Sequence, residues 1–151
     1  MIQEHDKLSR LIHLSGRLLD YEDFENYAAL FADGGEYRLV AKAPEVAQSM
    51  TWILLNRQEL SDLLASAQKH VWNTGQRSHL ITVEEVNVEG DTAHSWAGFS
   101  VFYTDCQGST KLYAVGRYED RWQKQTDDWR LLKRVTRLQT RVLSPPSAIP
   151  V

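Results

Sequence analysis

The chain of 151 residues contains a single cysteine, Cys106. One thiol excludes a disulfide within the chain, and it excludes a metal or iron–sulfur site that takes two thiolates from this chain. The sequence lacks an apolar run of about 18 residues, so no membrane-spanning segment is predicted. Its first residues lack a basic stretch followed by an apolar run, so no secretory signal is predicted. These absences predict a cytoplasmic protein that has no membrane partner.

The chain also lacks a large excess of charge of either sign, because it contains 17 basic and 20 acidic residues. A net charge of −3 gives no general field that attracts nucleic acid, so no nucleic-acid partner is predicted. Hydrophobic residues make up 42% and charged residues 25% of the chain, which is typical of a globular domain. The length fits one domain over residues 1–151, whose proline-containing tail, 144–151, is predicted to lie over a surface or a neighbouring chain.

Helical patterns dominate the first half of the chain. Apolar residues at helical spacing predict a first helix over residues 3–19. A second helix is predicted to begin at a cap residue, Asp20, and to stop at the glycine pair Gly34-Gly35, which accepts the left-handed backbone of a helix end. Asn56 with Glu59 three residues later is a variant of the capping box, which predicts the start of a third helix that ends near residue 75.

Strand patterns fill the second half of the chain. Four long strands are predicted over residues 80–88, 92–103, 111–122 and 129–142, joined as a meander by short turns. The alternation of apolar residues changes phase at Glu84-Glu85, which predicts a β-bulge that bends the sheet. Helices followed by strands indicate an α+β fold, with the helices packed on one face of a mainly antiparallel sheet. Three helices and a strongly bent meander are typical of a cone-shaped fold, which has a pocket inside and a flat sheet face outside.

Four side chains are candidates for chemistry in such a pocket. His79 would act as a base, Asp33 would orient it, and Tyr27 and Tyr37 would polarise a carbonyl group. The alternative is that His79 and Asp33 only hydrogen-bond to each other or to the backbone, which is the more common role of such a pair. No metal site is predicted, because the histidines form no i, i+4 pair and the spacing of His79, His94 and the acids does not favour iron.

Basic side chains cluster near the end of the chain, where residues 130–141 hold five basic residues and no acid. These residues are Arg130, Lys133, Arg134, Arg137 and Arg141. The segment is either a stripe that meets an acidic partner or, as we favour, the solvated face of a strand. The lack of interleaved aromatic residues disfavours nucleic acid as its partner. Five tryptophans are candidates for the core or for interface anchors: Trp52, Trp72, Trp96, Trp122 and Trp129.

Five segments, together with Tyr27 and Tyr37, follow one another in a recognisable order from about residue 11 to residue 143. The segments are Leu19-Asp20-Tyr21-Glu22-Asp23-Phe24, Leu30-Phe31-Ala32-Asp33, Arg77-Ser78-His79-Leu80-Ile81, Val115-Gly116-Arg117-Tyr118-Glu119-Asp120 and Trp129-Arg130-Leu131-Leu132-Lys133-Arg134. In order, spacing and total length they resemble the small (β) subunits of aromatic-ring-hydroxylating dioxygenases.

The resemblance implies the cone-shaped α+β fold that these subunits share with nuclear transport factor 2, scytalone dehydratase and ketosteroid isomerase. It also implies a mainly structural, non-catalytic chain that supports an α subunit, as a trimer within an assembly of three α and three β chains. The α subunit would hold the Rieske 2Fe–2S cluster and the mononuclear iron, so no cofactor is expected in this chain. The candidates for contacts between chains are Arg117, Arg130, Arg134, Arg137 and Trp122.

Some positions depart from the family pattern. Tyr27 stands where many members carry a tryptophan, Gly34 where many carry a second acid, and Pro145-Pro146 where the family has a short apolar ending. A stand-alone dehydratase, isomerase or cyclase of the same fold is the alternative, with Asp33 and His79 as its catalytic pair. A ligand-binding module that uses the cone without chemistry is a third interpretation.

Overall fold

A computed structural model describes residues 2–42, 49–69, 75–140, 143 and 150–151. Its elements, in chain order, are α1 (Ile2–Asp20), α2 (Phe24–Ala29), β1 (Phe31–Lys42), β2 (Ser49–Asn56), α3 (Arg57–Lys69), β3 (Gln76–Glu89), β4 (Thr92–Thr104), β5 (Thr110–Gln125) and β6 (Asp128–Leu138). The fold is α+β, as the sequence predicts, because helices precede and cover the long strands of one sheet.

The six strands form one sheet in the order β2-β1-β6-β5-β4-β3. Strands β3 to β6 pair antiparallel with their chain neighbours, which confirms the predicted meander. β1 runs parallel to β6 and antiparallel to β2, so these two strands extend the sheet beyond the meander. The predicted bulge is confirmed, because the register of β3 against β4 shifts between Val83 and Glu85. Bulges of this kind bend a sheet around its inner face.

The helices cover the inner face of the sheet. α1 packs against β3, and α2 and α3 pack against each other and against β1. Leu8, Ile12 and Leu19 form a buried stripe on α1, with the spacing expected of a helix that lies on a sheet. The core lies between this layer and the sheet, where Phe31 and Leu131 are fully buried. No helix in the described ranges is both long and apolar enough to span a lipid bilayer.

The predicted start of α3 is confirmed by a reciprocal pair of hydrogen bonds. The backbone N–H of Glu59 donates to Asn56 Oδ1 over 2.8 Å, and the backbone N–H of Asn56 donates to Glu59 Oε1 over 3.1 Å. A helix start leaves its first N–H groups without intrahelical partners, and this capping box satisfies them locally. Residues 70–74 are outside the described part of the chain, so the end of the helix near residue 75 stays a prediction.

Replacing Asn56 with alanine is expected to lower the free energy of unfolding by about 1 kcal/mol, because alanine cannot accept the Glu59 N–H. Urea unfolding of the wild type and the variant measures this difference. Asn56→Asp is the control, since its carboxylate keeps an acceptor in the same place and should preserve most of the stability. Equal losses in the two variants would contradict the capping role.

The predicted extent of the second helix was wrong. α2 begins after Asp23 rather than at Asp20 and ends at Ala29, so the glycine pair lies inside β1. The reason is a close approach of two backbones, because a Cβ atom on Gly35 would lie 2.8 Å from the carbonyl oxygen of Leu131 on β6. Glycine is needed here to let β1 pass close to β6, not to end a helix.

The C-terminal tail is described only at its two ends. Leu143 packs against the core, and residues 144–149 are not among the described residues. Pro150 is buried, and Val151 is 1% exposed within the core cluster. At these two residues the tail lies inside the protein, which differs from the prediction that it lies over a surface.

Candidate functional site

A buried ion pair lies on the inner face of the sheet, between β5 and β6. Arg134 donates two hydrogen bonds to Asp120, from Nε to Oδ1 over 2.9 Å and from Nη2 to Oδ2 over 2.8 Å. A third bond runs from Arg134 Nη1 to Ser15 Oγ on α1 over 2.9 Å. All three residues are 0% exposed. This bidentate, enclosed geometry joins the helix layer to the sheet.

Burial and pairing act in opposite directions on this ion pair. Burial disfavours the charged guanidinium, but the charge and hydrogen bonds of Asp120 outweigh it and raise the pKa of Arg134. Burial also raises the pKa of Asp120, and the charge of Arg134 opposes that rise. The carboxylate accepts two guanidinium bonds, so the ionised pair has no net charge.

Four buried hydroxyl groups lie near the ion pair, on Tyr27 of α2, Tyr37 of β1, Tyr118 of β5 and Thr136 of β6. In the part of the chain that the structure describes, none of them has a hydrogen bond of good geometry. Burial raises the pKa of all three phenols, and the nearby charge of Arg134 opposes this, so they are protonated donors at neutral pH. The Arg134 guanidinium also lies 4.0 Å from the centre of the Tyr118 ring, which is a cation–π contact.

A second pair, which is partly buried, joins α1 to β3. His79 Nδ1 lies 2.5 Å from Asp20 Oδ1, and the His79 backbone N–H donates to Asp20 Oδ2 over 2.9 Å. The His79 side chain is 1% exposed, and its Nε2 atom has no hydrogen-bond partner among the described residues. A carboxylate on Nδ1 holds the proton there, which leaves Nε2 free to accept one. The Phe99 ring lies beside both His79 and Tyr118, with centroid separations of 6.5 and 4.4 Å.

The approach of α1 to β3 depends on Gly16. A Cβ atom there would lie 2.7 Å from Ile81 Cδ1 and 3.0 Å from His79 Cβ. Asp20 follows one helical turn later on the same face, which brings its carboxylate to His79. The sequence pattern predicted Asp20 to be a helix cap, so its pairing with His79 was not predicted. A glycine inside a helical pattern was the available signal, because it marks a close approach.

The predicted pairing of Asp33 with His79 was wrong. The Asp33 side chain is 100% exposed, and its partner is Arg57, whose Nη1 atom lies 2.6 Å from Asp33 Oδ1. Asp33 lines an open groove of about 440 Å³ between α2 and α3. The cause is the register shift of β1 between Phe31 and Glu36, which places Asp33 on an irregular part of a strand. Asp33 therefore lies apart from the inner face, whereas the other three predicted residues lie on it.

Two of the five interface candidates are buried inside the chain. Arg134 forms the internal ion pair, and Trp122 is 1% exposed and donates from Nε1 to Ser95 Oγ over 2.9 Å. Neither side chain can reach another chain from these positions, so both predictions were wrong. The other candidates are partly or fully exposed: Arg117, Arg130 and Arg137.

A β-bulge explains why Arg134 lies inside while its basic neighbours lie outside. Leu132 is the extra residue on β6, because Lys133 and Leu131 pair with consecutive residues of β5. The bulge changes the face of the residues that follow, so Arg134 lies opposite Asp120 on the inner face. The interpretation of residues 130–141 as one solvated face was therefore wrong at Arg134.

Of the tryptophans whose side chains the structure describes, two lie in the core and one is partly exposed. Trp129 is buried, like Trp122, and its Nε1 donates to Glu4 Oε2 over 2.6 Å. Trp96 is partly exposed beside His94. The side chain of Trp52 and all of residue 72 are outside the described part of the chain, so their roles stay predictions.

Glu119 is the centre of a charge cluster on the outer sheet face. Arg137 Nη2 donates to Glu119 Oε1 over 2.8 Å, and His94 Nε2 lies 3.2 Å from Glu119 Oε2. Burial raises the pKa of Glu119, but the hydrogen bonds and charges of Arg137 and His94 outweigh it and lower the pKa below the ordinary value of 4.5. The cluster therefore favours the ionised carboxylate in the folded state.

We expect this pKa shift to make stability depend on pH. Because the folded-state pKa is the lower one, the contribution of Glu119 is complete above the ordinary value of 4.5 and is lost as the pH falls through the folded-state pKa. Glu119→Gln should lower the free energy of unfolding at neutral pH by up to about 1 kcal/mol, the range of exposed pairs. Urea unfolding at neutral and acidic pH measures this. A loss of the same size at both pH values would contradict an electrostatic origin.

Metal-binding residues do not cluster in the described ranges, where no group of three or more His, Cys, Asp or Glu side chains is placed to hold an ion. Cys106 is a free, exposed thiol. The predicted lack of a metal and of a cofactor in this chain stays a prediction.

The inner face can do two things chemically. Protonated phenols and the Thr136 hydroxyl can donate hydrogen bonds to the oxygen of a bound molecule, and His79 Nε2 can accept a proton. All of these side chains are at most 1% exposed. The groups that could take part in a reaction are therefore closed to solvent in this structure.

Comparison with known proteins gives this arrangement a context. The model of the SnoaL-like domain family matches residues 1–135. The chain is 23% identical to 2-aminobenzenesulfonate 2,3-dioxygenase subunit beta from Alcaligenes sp, over 95% of this chain and 97% of that protein. It is 29% identical to methanesulfonate monooxygenase hydroxylase subunit beta from Methylosulfonomonas methylovora, over 97% of this chain and 86% of that protein. The resemblance to oxygenase β subunits is thus confirmed.

Solved structures share the fold. The β subunit of a proposed aromatic-ring-hydroxylating dioxygenase from Novosphingobium aromaticivorans has a TM-score of 0.79 at 23% identity, with 94% of each chain covered. A proposed scytalone dehydratase from the same organism has a TM-score of 0.68 at 18% identity, over 92% of this chain and 86% of that chain. At these identities the likeness shows the fold, which is the predicted cone-shaped α+β fold. With its family match over residues 1–135, this chain belongs to the SnoaL-like domain family.

Proposed function

We propose that the chain is the structural β subunit of a multicomponent oxygenase and has no catalytic centre of its own. The observation that carries the proposal is that two oxygenase β subunits align with 95% and 97% of the chain. The interior supports it, because the side chains best suited to chemistry are buried and serve internal contacts. The Arg134 guanidinium, for example, donates hydrogen bonds to Asp120 and to Ser15 inside the chain.

The redox centres belong to the partner in this proposal. A Rieske cluster is ligated by two cysteines and two histidines, and this chain has one cysteine. The α subunit would therefore hold the Rieske 2Fe–2S cluster and the mononuclear iron. The chain would act on turnover only by supporting the α subunits, in an assembly of three α and three β chains.

The substrate class is suggested by the relatives. The names of both oxygenases specify an organic sulfonate, one aromatic and one aliphatic. We therefore place sulfonates ahead of uncharged aromatic hydrocarbons as substrates of the assembled enzyme. Recognition of the sulfonate would occur in the α subunit, where the iron is.

The contact with the partner would use the outer surface of β5 and β6. Arg117 and Arg137 are exposed there and already pair with Glu84 and Glu119 on the same face. Solvent-exposed charge pairs on one chain can exchange partners when two chains meet, which favours specific association. Arg130 is a third accessible cation, 3.8 Å from Asp128.

Co-purification tests the proposal. The tagged chain is isolated from its native host under gentle conditions, and the eluate is analysed by mass and by visible absorbance. We expect a co-eluting chain of a few hundred residues and the absorbance of a Rieske cluster. A colourless chain that elutes alone at low and moderate salt would contradict the β-subunit role.

One observation favours a second function, that of a stand-alone dehydratase, isomerase or cyclase. The Asp20–His79 pair leaves His79 Nε2 free on the inner face, on the same side of the sheet as the three phenols. In this alternative Asp20 takes the orienting role that was predicted for Asp33. It would require the interior to open to a substrate, and it predicts turnover by the isolated chain that Asp20→Asn abolishes.

A further inference from the structure

Arg77 lies near the start of β3, which is an edge strand of the sheet. Its side chain is partly exposed, and its guanidinium lies 5.8 Å from the centre of the Tyr103 ring and 5.1 Å from that of the Tyr113 ring. These distances are typical of cation–π contacts. Both tyrosines are buried. The two rings therefore hold the guanidinium in place at this end of the sheet.

The tyrosine pair is itself fixed. The ring centres of Tyr103 and Tyr113 are 6.0 Å apart, so the two side chains support each other. The backbone of Gly75 lies so close to the Tyr103 ring that a Cβ atom there would overlap it. A side chain that is already held in one position loses little freedom on binding, which suits Arg77 to a role as an interface anchor.

The Arg77 guanidinium lacks the partners that a partly buried arginine ordinarily has. Its Nε atom is buried without a hydrogen-bond acceptor, and no carboxylate pairs with it in the described part of the chain. The tyrosine ring faces attract the charge, but they are weak acceptors for an N–H group. A charge that is removed from water without a counter-ion is costly. The geometry therefore matches a carboxylate that the described residues do not supply.

Apolar side chains are exposed at the same end of the sheet. Leu80 on β3 and Leu112 on β5 are each 54% exposed. In the strand register Leu112 lies opposite Phe102, and Phe102 lies opposite Ser78, the neighbour of Arg77. Exposed apolar residues beside an arginine that is held by tyrosines are typical of a protein interface, which combines an apolar centre with Arg and Tyr anchors.

We propose that Arg77 anchors a docking surface for a partner chain and receives an aspartate or glutamate carboxylate of that chain. The partner is the α subunit, so this assignment rests on the β-subunit role and adds a second contact to the one at β5 and β6. The planar guanidinium can donate two parallel hydrogen bonds to a carboxylate. Leu80 and Leu112 would contact apolar side chains of the α subunit beside this ion pair.

The first measurement is the unfolding temperature of the isolated chain. Methionine in place of Arg77 keeps a long side chain that packs well on aromatic rings, and it removes the charge. We expect Arg77→Met to unfold at the wild-type temperature or above it, because a charge without a counter-ion is lost. A clearly lower unfolding temperature would show that the guanidinium serves contacts within the chain, and it would overturn the docking role.

The second measurement is the affinity for the α subunit that co-purifies with the wild-type chain. We expect Arg77→Met and Arg77→Lys to bind it about tenfold more weakly or worse, because methionine has no charge and lysine cannot make the bidentate contact. Arg10→Met is the control, since this arginine of α1 is largely exposed and pairs with Asp6 in the same helix. It should bind like the wild type.

The outcomes separate this docking surface from the β-subunit role. Equal binding by Arg77→Met and the wild type would overturn docking at Arg77 and leave the β-subunit role intact. A wild-type chain that binds no α subunit would overturn both.

Two other occupants of the site give different results. Sodium acetate is the probe for a small anion, which would raise the unfolding temperature of the wild type but not of Arg77→Met and leave binding of the α subunit equal. A second copy of this chain would be indicated if Arg77→Met changed only the self-association of the isolated chain. Either result would overturn docking of the α subunit at Arg77.

Discussion

Replacing Arg134 with methionine is expected to lower the free energy of unfolding by about 3–5 kcal/mol, which is much of the stability of an ordinary domain. The variant would leave the Asp120 carboxylate fully buried with neither of its guanidinium bonds, and it would leave Ser15 without its link to the sheet. The cost comes mainly from the uncompensated buried charge. Urea unfolding, followed by circular dichroism, measures the loss.

Two further variants make this prediction specific. Arg137→Met removes an arginine of the same strand whose partner, Glu119, is near the surface, so it should cost less than about 1 kcal/mol. Arg134→Met combined with Asp120→Leu removes the whole pair and should recover much of the loss, because no charge remains buried. If Arg134→Met instead leaves the unfolding energy unchanged and only weakens assembly, the internal location of Arg134 is contradicted.

Replacing Trp122 with alanine is expected to cost about 3–5 kcal/mol, the range for a large aromatic side chain removed from a core. Trp122 is 1% exposed, so its removal leaves a cavity that the rigid β5–β6 layer cannot fill. The Ser95 hydroxyl, which accepts the indole N–H, would lose that partner as well. Thermal unfolding of the isolated chain measures the effect.

Trp96 on β4 provides the matched control. It is partly exposed beside His94, so Trp96→Ala should cost clearly less than Trp122→Ala. An interface role for Trp122 predicts the opposite order of effects, with normal stability of the chain and a loss of association. That result would show that Trp122 is accessible in solution and would contradict its placement in the core.

The sequence predicted those parts of the fold that depend on local patterns. The alternation along the second half predicted the meander, and its change of phase at Glu84-Glu85 predicted the bulge now found between Val83 and Glu85. The spacing of Asn56 and Glu59 predicted the start of α3. In each case the cause lies within a few residues of the effect, so one segment holds the necessary information.

The inner site depended on events that a single segment does not reveal. Leu131 and Leu132 are adjacent and equally apolar, so the sequence does not show which one faces the core. The bulge at Leu132 decides that question, and with it the direction of Arg134. The register of β6 against β5 sets this bulge, and the apolar pattern of β6 alone does not show that register, which explains why the basic segment was interpreted as one face.

The Asp20–His79 pair illustrates a competing local signal. Asp20 at the end of α1 has the position and chemistry of a helix cap, and that interpretation needed no distant partner. Its true partner is 59 positions away on β3, and Gly16 makes the approach possible. The prediction that Gly34-Gly35 ends the second helix placed Asp33 just past that helix, where it was expected to reach the pocket. The structure assigns those glycines to β1.

As a structural β subunit, this chain would support catalysis without taking part in it. The most direct test is the turnover of the reconstituted oxygenase with Asp20→Asn in this chain, because that change preserves shape while removing the charge that orients His79. For a structural β subunit we expect wild-type turnover with intact assembly and iron content. A loss of about 10²–10⁴-fold in an intact assembly, the range of general acid–base catalysis, would contradict it.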